Sequence, residues 1–301
     1  MSAAAPVPFR SGFAALIGRP NVGKSTLLNA LVGEKVSIVT PRPQTTRHRI
    51  LGIANLPAAQ IAFVDTPGLH REGRRALNKA MNRTATAALE DADVVVLVVE
   101  APQWTEGDEL ALSRLARARR PSILAVNKID RVRPRERLLP YLAAAGGRHA
   151  FLAIVPVSAL KTDNVADLRA TIAAHLPESP AMFPADTVTD RGVQFRIAEA
   201  IREKLTLELN QEVPYGIAVE VEQLSDEPDG QLTIDASIWV DREGQKPIVI
   251  GAGGARLKRV GRAARLALND LLGRRVHLNL WVKVRENWAD NARALKQLGV
   301  E

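Results

Sequence analysis

Residues 18 to 25 read Gly-Arg-Pro-Asn-Val-Gly-Lys-Ser, a G-x-x-x-x-G-K-[ST] loop, and no other stretch limits the fold so tightly. The pattern works only between a strand and a helix. Phe13-Ala14-Ala15-Leu16-Ile17 ahead of it reads as a buried strand, and Ser25-Thr26-Leu27-Leu28-Asn29-Ala30-Leu31 behind it as a helix with an apolar face. Gly18 and Gly23 let the backbone turn tightly, so that N–H groups along Asn21, Val22, Gly23, Lys24, Ser25 and Thr26 converge on one oxyanion cluster. The helix starting near Gly23 adds the positive end of its dipole. Lys24 then reaches the β- and γ-phosphates of a nucleotide, and the Ser25 hydroxyl ligates magnesium. The plain alternative is a glycine-rich turn, and the downstream motifs weigh against it.

Ile61-Ala62-Phe63-Val64 reads as a strand ending in Asp65-Thr66-Pro67-Gly68, forty residues after Ser25. A carboxylate there can hold magnesium through a water, and Gly68, having no Cβ, can offer its N–H to the γ-phosphate. Upstream, Val36 to Thr40 reads as a strand end. Pro41-Arg42-Pro43-Gln44-Thr45-Thr46-Arg47 reads as a proline-broken loop, whose threonine closes over magnesium and the γ-phosphate when triphosphate is bound. A plain surface loop fits that stretch equally well.

The pattern then predicts a helix over 74–90, a buried strand from Ala92 to Glu100, a helix near 105–119 and a strand from Ser122 to Val126. That strand ends in Asn127-Lys128-Ile129-Asp130. A carboxylate at Asp130 accepts two hydrogen bonds from the ring N–H and exocyclic amine of guanine, whereas adenine would leave it unpaired. Asn127 can bridge the base edge and the phosphate loop, while the Lys128 stem lies over the ring. A strand at Ile154 to Val157 leads into Ser158-Ala159-Leu160, whose backbone amides face the guanine oxygen. Four motifs, each at the C-terminal end of a strand, match the rule for ligand crevices in α/β sheets.

With 301 residues the chain is expected to form two domains. We divide it into an α/β GTP-binding domain over 8–178, a proline-rich linker over 179–190, an α+β domain over 191–290 and a tail over 291–301. There is no cysteine, which removes disulfide and thiolate chemistry. The start, Met-Ser-Ala-Ala-Ala-Pro-Val-Pro, lacks the basic and apolar segments of a secretory signal, and Val94 to Val99 is too short to span a bilayer. A soluble cytoplasmic protein is expected.

The formal net charge is +8, unevenly spread. Residues 181–301 are nearly neutral, with 17 Lys+Arg against 18 Asp+Glu, yet residues 244–285 hold 10 basic and one acidic residue, Asp270. Such segregation suggests one basic face that meets a polyanion. In this part Val193 to Leu209 reads as a helix, and Ile217–Leu224 and Leu232–Val240 as strands joined at Asp229-Gly230. Then come Ile250, Gly251, Ala252, Gly253 and Gly254, followed by a basic helix with Arg256, Lys258, Arg259, Arg262 and Arg265. A G-x-x-G loop in an α-β-β-α-α-β order is the type II KH pattern, in which the loop backbone approaches single-stranded RNA unobstructed. The last strand, His277 to Arg285, carries Trp281, for which a core position is expected over a base-stacking one. A short helix over 289–298 is expected to close the chain, most of it outside the residues described below.

The N-terminal motifs, with Gln-Thr-Thr-Arg-His-Arg and Asp-Thr-Pro-Gly-Leu-His among them, resemble the Era family of bacterial ribosome-assembly GTPases, within the TrmE-Era-EngA-like group. The G-x-x-G loop and Leu-Trp-Val-Lys-Val resemble the family's C-terminal domain, so the resemblance covers residues 10 to 298. It implies a P-loop GTPase domain followed by a KH domain, GTP/GDP and Mg2+ as ligands, and small-subunit (16S) rRNA near its 3′ end as partner during 30S maturation. It also implies a monomer with peripheral association at an anionic membrane surface. Thr45 or Thr46 becomes the magnesium-contacting threonine, with Thr46 favoured beside Arg47. Leu69 stands where Ras-like proteins place a water-orienting glutamine. Asn21 occupies a position at which relatives bind potassium. Ala252 and Gly253 depart from the lysine many relatives carry in the loop. The alternative from another class is a GTP-dependent adaptor whose C-terminal domain engages a protein or a membrane surface.

Overall fold

A computed structural model describes residues 8–42, 45–68, 76–209, 216–286 and 288–291. Contacts divide the chain into two compact units, one from 1–37, 46–73 and 81–190, the other from 38–45, 74–80 and 191–301.

The first unit is built on a six-stranded sheet of β1 (Arg10–Ile17), β2 (Ile50–Leu56), β3 (Ala59–Asp65), β4 (Val94–Glu100), β5 (Ser122–Asn127) and β6 (Ala153–Pro156). The spatial order is β2-β3-β1-β4-β5-β6, and every pair is parallel except β2–β3. Strands buried on both faces read as continuous apolar runs, and Val94 to Val99 is such a run, fully buried. Leu27, Leu28 and Leu31 of α1 (Lys24–Val32) and Leu168 and Ile172 of α5 (Val165–Ala174) pack with Leu16, Phe63 and Val96. Ile17, Val95 and Leu97 point the other way, toward Ala85 and Leu89 of α2 (Ala76–Asp91) and Leu112 and Leu115 of α3 (Glu106–Ala118). A shorter helix, α4 (Leu138–Gly146), precedes β6.

Two features of this unit differ from expectation. Val36 to Thr40 forms no strand. Instead Asn29 holds this chain from within α1, its Oδ1 accepting the Val36 and Ser37 amides (3.0 and 2.9 Å) and its Nδ2 donating to the Ser37 carbonyl. The proline-rich 179–190 stretch, read as a linker, lies against the first sheet. Gln60 Oε1 accepts the Met182 and Phe183 amides, Ile53 donates its N–H to the Val188 carbonyl, and the Thr189 hydroxyl donates to the Leu51 carbonyl.

The second unit runs α6 (Val193–Glu208), β7 (Ile217–Asp226), β8 (Leu232–Val240), α7 (Lys246–Ile250), α8 (Ala255–Leu272) and β9 (Val276–Val284). Its sheet has the order β7-β8-β9, antiparallel then parallel. Ile197, Ile201 and Leu205 of α6 and Val260, Ala264 and Leu268 of α8 sit on helical spacing and close over Leu232, Ile234, Ala236, Ile238 and Val240. Trp281 is not core: it is 45% exposed. Residues 276, 278, 280, 282 and 284, all apolar, make the face turned to the helices, so alternation sends Trp281 to the open face with His277, Asn279 and Lys283. The indole that is buried belongs to Trp288, which donates to the Gly216 carbonyl at 3.1 Å. No described helix is long and apolar enough to cross a membrane.

Candidate functional site

The Gly18–Ser25 loop joins β1 to α1 through tightly turned backbone. Gly18 (φ 154°), Asn21 (φ 62°) and Gly23 (φ 100°) all have positive φ, and a Cβ on Gly18 would stand 2.3 Å from the Val98 carbonyl oxygen. Lys24 is buried and folds back so that Nζ donates to the Gly18 and Arg19 carbonyls, both at 3.0 Å. Burial lowers its pKa to about 8, against the pull of Asp65. The loop thus holds a cation at a helix N-terminus, an arrangement suited to a polyphosphate. Val22 is buried beneath it, while Asn21 is exposed at its crest.

Beside the loop, oxygens gather. Ser25 Oγ donates to Asp65 Oδ2 at 2.7 Å and lies 2.8 Å from Thr46 Oγ1, which is itself 3.5 Å from Asp65 Oδ2. Ser37 adds a hydroxyl to the same carboxylate oxygen at 3.1 Å, a contact not anticipated from sequence. Burial pushes the Asp65 carboxyl up from its ordinary range, opposed by Lys24 and by these hydroxyls. Among the described residues, Asp65 Oδ1 is buried with no hydrogen-bond partner. Three hydroxyls and one carboxylate, whose second oxygen has no partner among the described residues, form a hard donor set of the kind a small divalent cation takes. Of the two threonines, Thr46 is the one brought to this cluster. Thr45 Oγ1 is 2.6 Å from Thr40 Oγ1 and donates to the Arg42 carbonyl. Thr66 donates to the Leu16 carbonyl, fixing the Asp65–Gly68 turn, and a Cβ on Gly68 would lie 3.0 Å from Pro20 of the phosphate loop. Leu69 and the rest of 69–75 lie outside the described residues.

The Asn127–Asp130 motif follows β5. Asn127 Nδ2 donates to the Val22 carbonyl at 2.9 Å, and its Oδ1 accepts the Ala159 amide at 3.0 Å. Sequence reasoning aimed that amide at the base; here it braces Asn127. Lys128 (φ 63°) donates to the Asn21 carbonyl at 2.7 Å. Asp130 accepts a hydrogen bond from Ser158 Oγ at 2.7 Å, and that hydroxyl in turn accepts the Lys161 amide. Leu160 is exposed. Phosphate loop, oxygen cluster and carboxylate are therefore bound to one another, and a cavity of about 480 Å³ adjoins Asp130, Asp163 and Arg135.

In the second unit Gly251, Gly253 and Gly254 all have positive φ (76°, 56° and 79°), so the loop between α7 and α8 takes a path that other residues rarely follow. Ala252 and Gly253 are exposed, and Ile250 is partly packed on the core. Arg256 donates to the Ile248 carbonyl, closing the loop at its base. Lys258, Arg259, Arg262 and Arg265 line the exposed side of α8, with Arg259 paired to Glu208. The basic run does not form one face. Lys283, on the open side of the sheet, is bound to Glu222, and Arg274 is paired with Asp226.

Family models match twice, a 50S ribosome-binding GTPase over residues 13–128 and a KH domain over residues 212–289. The chain is 52% identical over 294 residues to GTPase Era of Xanthomonas oryzae pv. oryzae, covering 98% of each. This protein belongs to the Era family of GTPases. Era of Marinobacter nauticus is 49% identical over 291 residues, covering 97% of this chain and 95% of that one. Two solved Era structures superpose with a TM-score of 0.93 over 97% of this chain and 99% of theirs. One, a point variant from Aquifex aeolicus bound to GDP and AlF4−, is 39% identical. The other, in complex with MgGDPNP and nucleotides 1506–1542 of 16S ribosomal RNA, is 40% identical. The fold expected from sequence, a P-loop GTPase domain with a mostly parallel sheet followed by a KH domain, is the Era fold.

Proposed function

We propose that this Era-family GTPase binds the 3′ region of 16S rRNA through its KH domain, in a manner governed by guanine nucleotide, and so assists assembly of the 30S subunit. The observation that carries this is the match, over nearly the whole chain, to an Era solved with both MgGDPNP and a 16S rRNA segment. The Gly251–Gly254 loop, exposed at Ala252 and Gly253, and the basic side of α8 supply backbone access and charge for a single strand.

On this reading Gly18 and Asn21 to Thr26 cradle the phosphates, Lys24 neutralises charge developing on the γ-phosphate, and Asp130 with Asn127, Lys128 and the Leu160 amide hold guanine, Ser158 bracing Asp130 and Ala159 bracing Asn127. Ser25 and Thr46 would ligate Mg2+, with Asp65 engaging it through a water. The ion supplies positive charge between the β- and γ-oxygens. Thr45 and Thr46, with the turn at Asp65, Thr66, Pro67 and Gly68, change order with nucleotide. Hydrolysis then rests on positioning and charge stabilisation. We assign a potassium ion to Asn21, where it would supply charge that an arginine finger gives elsewhere; equal hydrolysis rates in sodium and potassium buffers would remove it. The protein works in the cytoplasm as a monomer, meeting any anionic membrane surface only peripherally.

The test is binding of a labelled 3′-terminal 16S rRNA fragment at fixed salt, without nucleotide, with GDP and with a non-hydrolysable GTP analogue. Tight binding that strengthens with the analogue is expected. Binding indifferent to nucleotide would remove the coupling, and no binding in any state would overturn the ribosomal assignment and favour the adaptor.

A further inference from the structure

Arg19, the second residue of the phosphate loop, does not point into solvent. Its Nε lies 3.3 Å from Asp108 Oδ2 and its Nη2 lies 3.1 Å from Glu100 Oε2. Asp108 is fully buried in the first turn of α3, and its Oδ2 also accepts the Thr105 amide and hydroxyl at 2.9 and 2.7 Å. The Arg19 stem runs over the same turn, where a Cβ on Gly107 would meet it at 3.1 Å. Glu100, at the end of β4, is shared. The oxygen that meets Arg19 also meets Lys128 Nζ at 2.8 Å, and Lys128 closes a ring by donating to the Asn21 carbonyl at 2.7 Å.

One carboxylate therefore ties the phosphate loop to the lysine of the Asn127–Asp130 motif. The loop gains from such support, since Asn21 holds a left-handed φ of 62° that residues other than glycine rarely adopt and a phosphate site works best when its backbone is set before any ligand arrives. We propose that Glu100, anchored with Asp108 through Arg19, is a positioning residue for the GTPase reaction, holding the phosphate loop and Lys128 in register so that one nucleotide fills both. The inference rests on reading that crevice as the nucleotide site.

Charge and geometry make opposite forecasts for Glu100→Gln. The substitution removes a negative charge beside a polyphosphate site, which by electrostatics alone tightens binding. A positioning role loosens it, because Arg19 and Lys128 lose their common partner. The experiment measures GDP and GTP-analogue affinity, steady-state hydrolysis and nucleotide-free melting for wild type, Glu100→Gln, Arg19→Gln and the double variant. The expected result is about tenfold weaker binding of both nucleotides in Glu100→Gln, seen as a rise in KM with kcat within about twofold. The double variant should be no weaker than the worse single variant, as befits two members of one circuit. Tighter or unchanged binding overturns the proposal, as does a loss of affinity matched by a comparable loss of nucleotide-free stability. A wild-type chain that binds no guanine nucleotide would instead overturn the site reading itself.

Discussion

The side-chain nitrogen of Asn127 stands 2.4 Å from the point where residue 23 would carry a Cβ, so the loop closes on the base-side motif only with glycine at that position. Gly23 also holds φ 100°, which an alanine adopts only under strain. Gly23→Ala should cost about 1–3 kcal/mol of nucleotide-free stability. It should also weaken GDP by at least about tenfold, because Asn127 must leave the Val22 carbonyl or the loop must shift. Thermal melting with and without GDP reads both effects. A variant that melts lower but binds GDP as tightly as wild type would show that the Gly23–Asn127 approach matters to folding alone.

Asp130→Asn tests the base. Ser158 Oγ donates to Asp130 Oδ1, so an asparagine keeps its oxygen toward Ser158 and turns its NH2 toward the base. Those donors then face the donors of guanine and match the carbonyl that xanthine carries in place of the exocyclic amine. GTP should weaken by about a hundredfold while xanthosine triphosphate gains. Competition of the two nucleotides against a fluorescent analogue measures the exchange.

The nucleotide motifs were legible because each is a short run whose residue types have one chemical use together, and all four lie at strand ends. Much of the KH unit was legible because β8 and α8 alternate or repeat cleanly. The rest failed for identifiable reasons. Ile50–Leu56 is an apolar run that carries no motif, so the antiparallel edge strand went unassigned, as did α4 and α5. Val36 to Thr40 is β-branched enough to resemble a strand, but Asn29 takes its backbone amides. The prolines of 179–190 signal only irregular backbone, which Gln60 then binds to the sheet. For Trp281 the signal was present: five apolar residues at every second position from 276 to 284 leave the tryptophan on the other face. Arg19, Glu100 and Asp108 carry no spacing rule, since α3 and β4 meet the loop only once folded.

The pH dependence of nucleotide binding should report Lys24. Burial holds its pKa near 8, below the unfolded value of 10.5, so the nucleotide-free folded chain binds fewer protons than the unfolded one across that interval. This group therefore costs stability at neutral pH, and that cost is relieved as pH rises from about 8 toward 10.5. A bound phosphate favours the charged form and raises the pKa again. GDP binding should take up a proton above about pH 8 and weaken as pH rises further. Titration calorimetry in two buffers of different ionisation enthalpy would count that proton. No uptake at pH 8.5 would mean that Lys24 stays charged in the nucleotide-free chain.

The G-x-x-G loop offers a gain-of-function test. Its first variable position, Ala252, is exposed. The backbone beside it is already bent by glycines at 251, 253 and 254, so a longer side chain at 252 need not disturb the loop. Ala252→Lys places a cation where a single-stranded backbone is proposed to pass. Each phosphate neutralised on a single strand steepens the plot of log affinity against log salt by about 0.7. Ala252→Lys should add about that much slope and tighten the 16S 3′-terminal fragment at low salt, whereas Lys258→Ala should subtract a similar amount. Slopes measured at four salt concentrations for the three proteins decide it. If Lys258→Ala lowers the slope and Ala252→Lys leaves it unchanged, the strand meets the side of α8 and does not cross the loop.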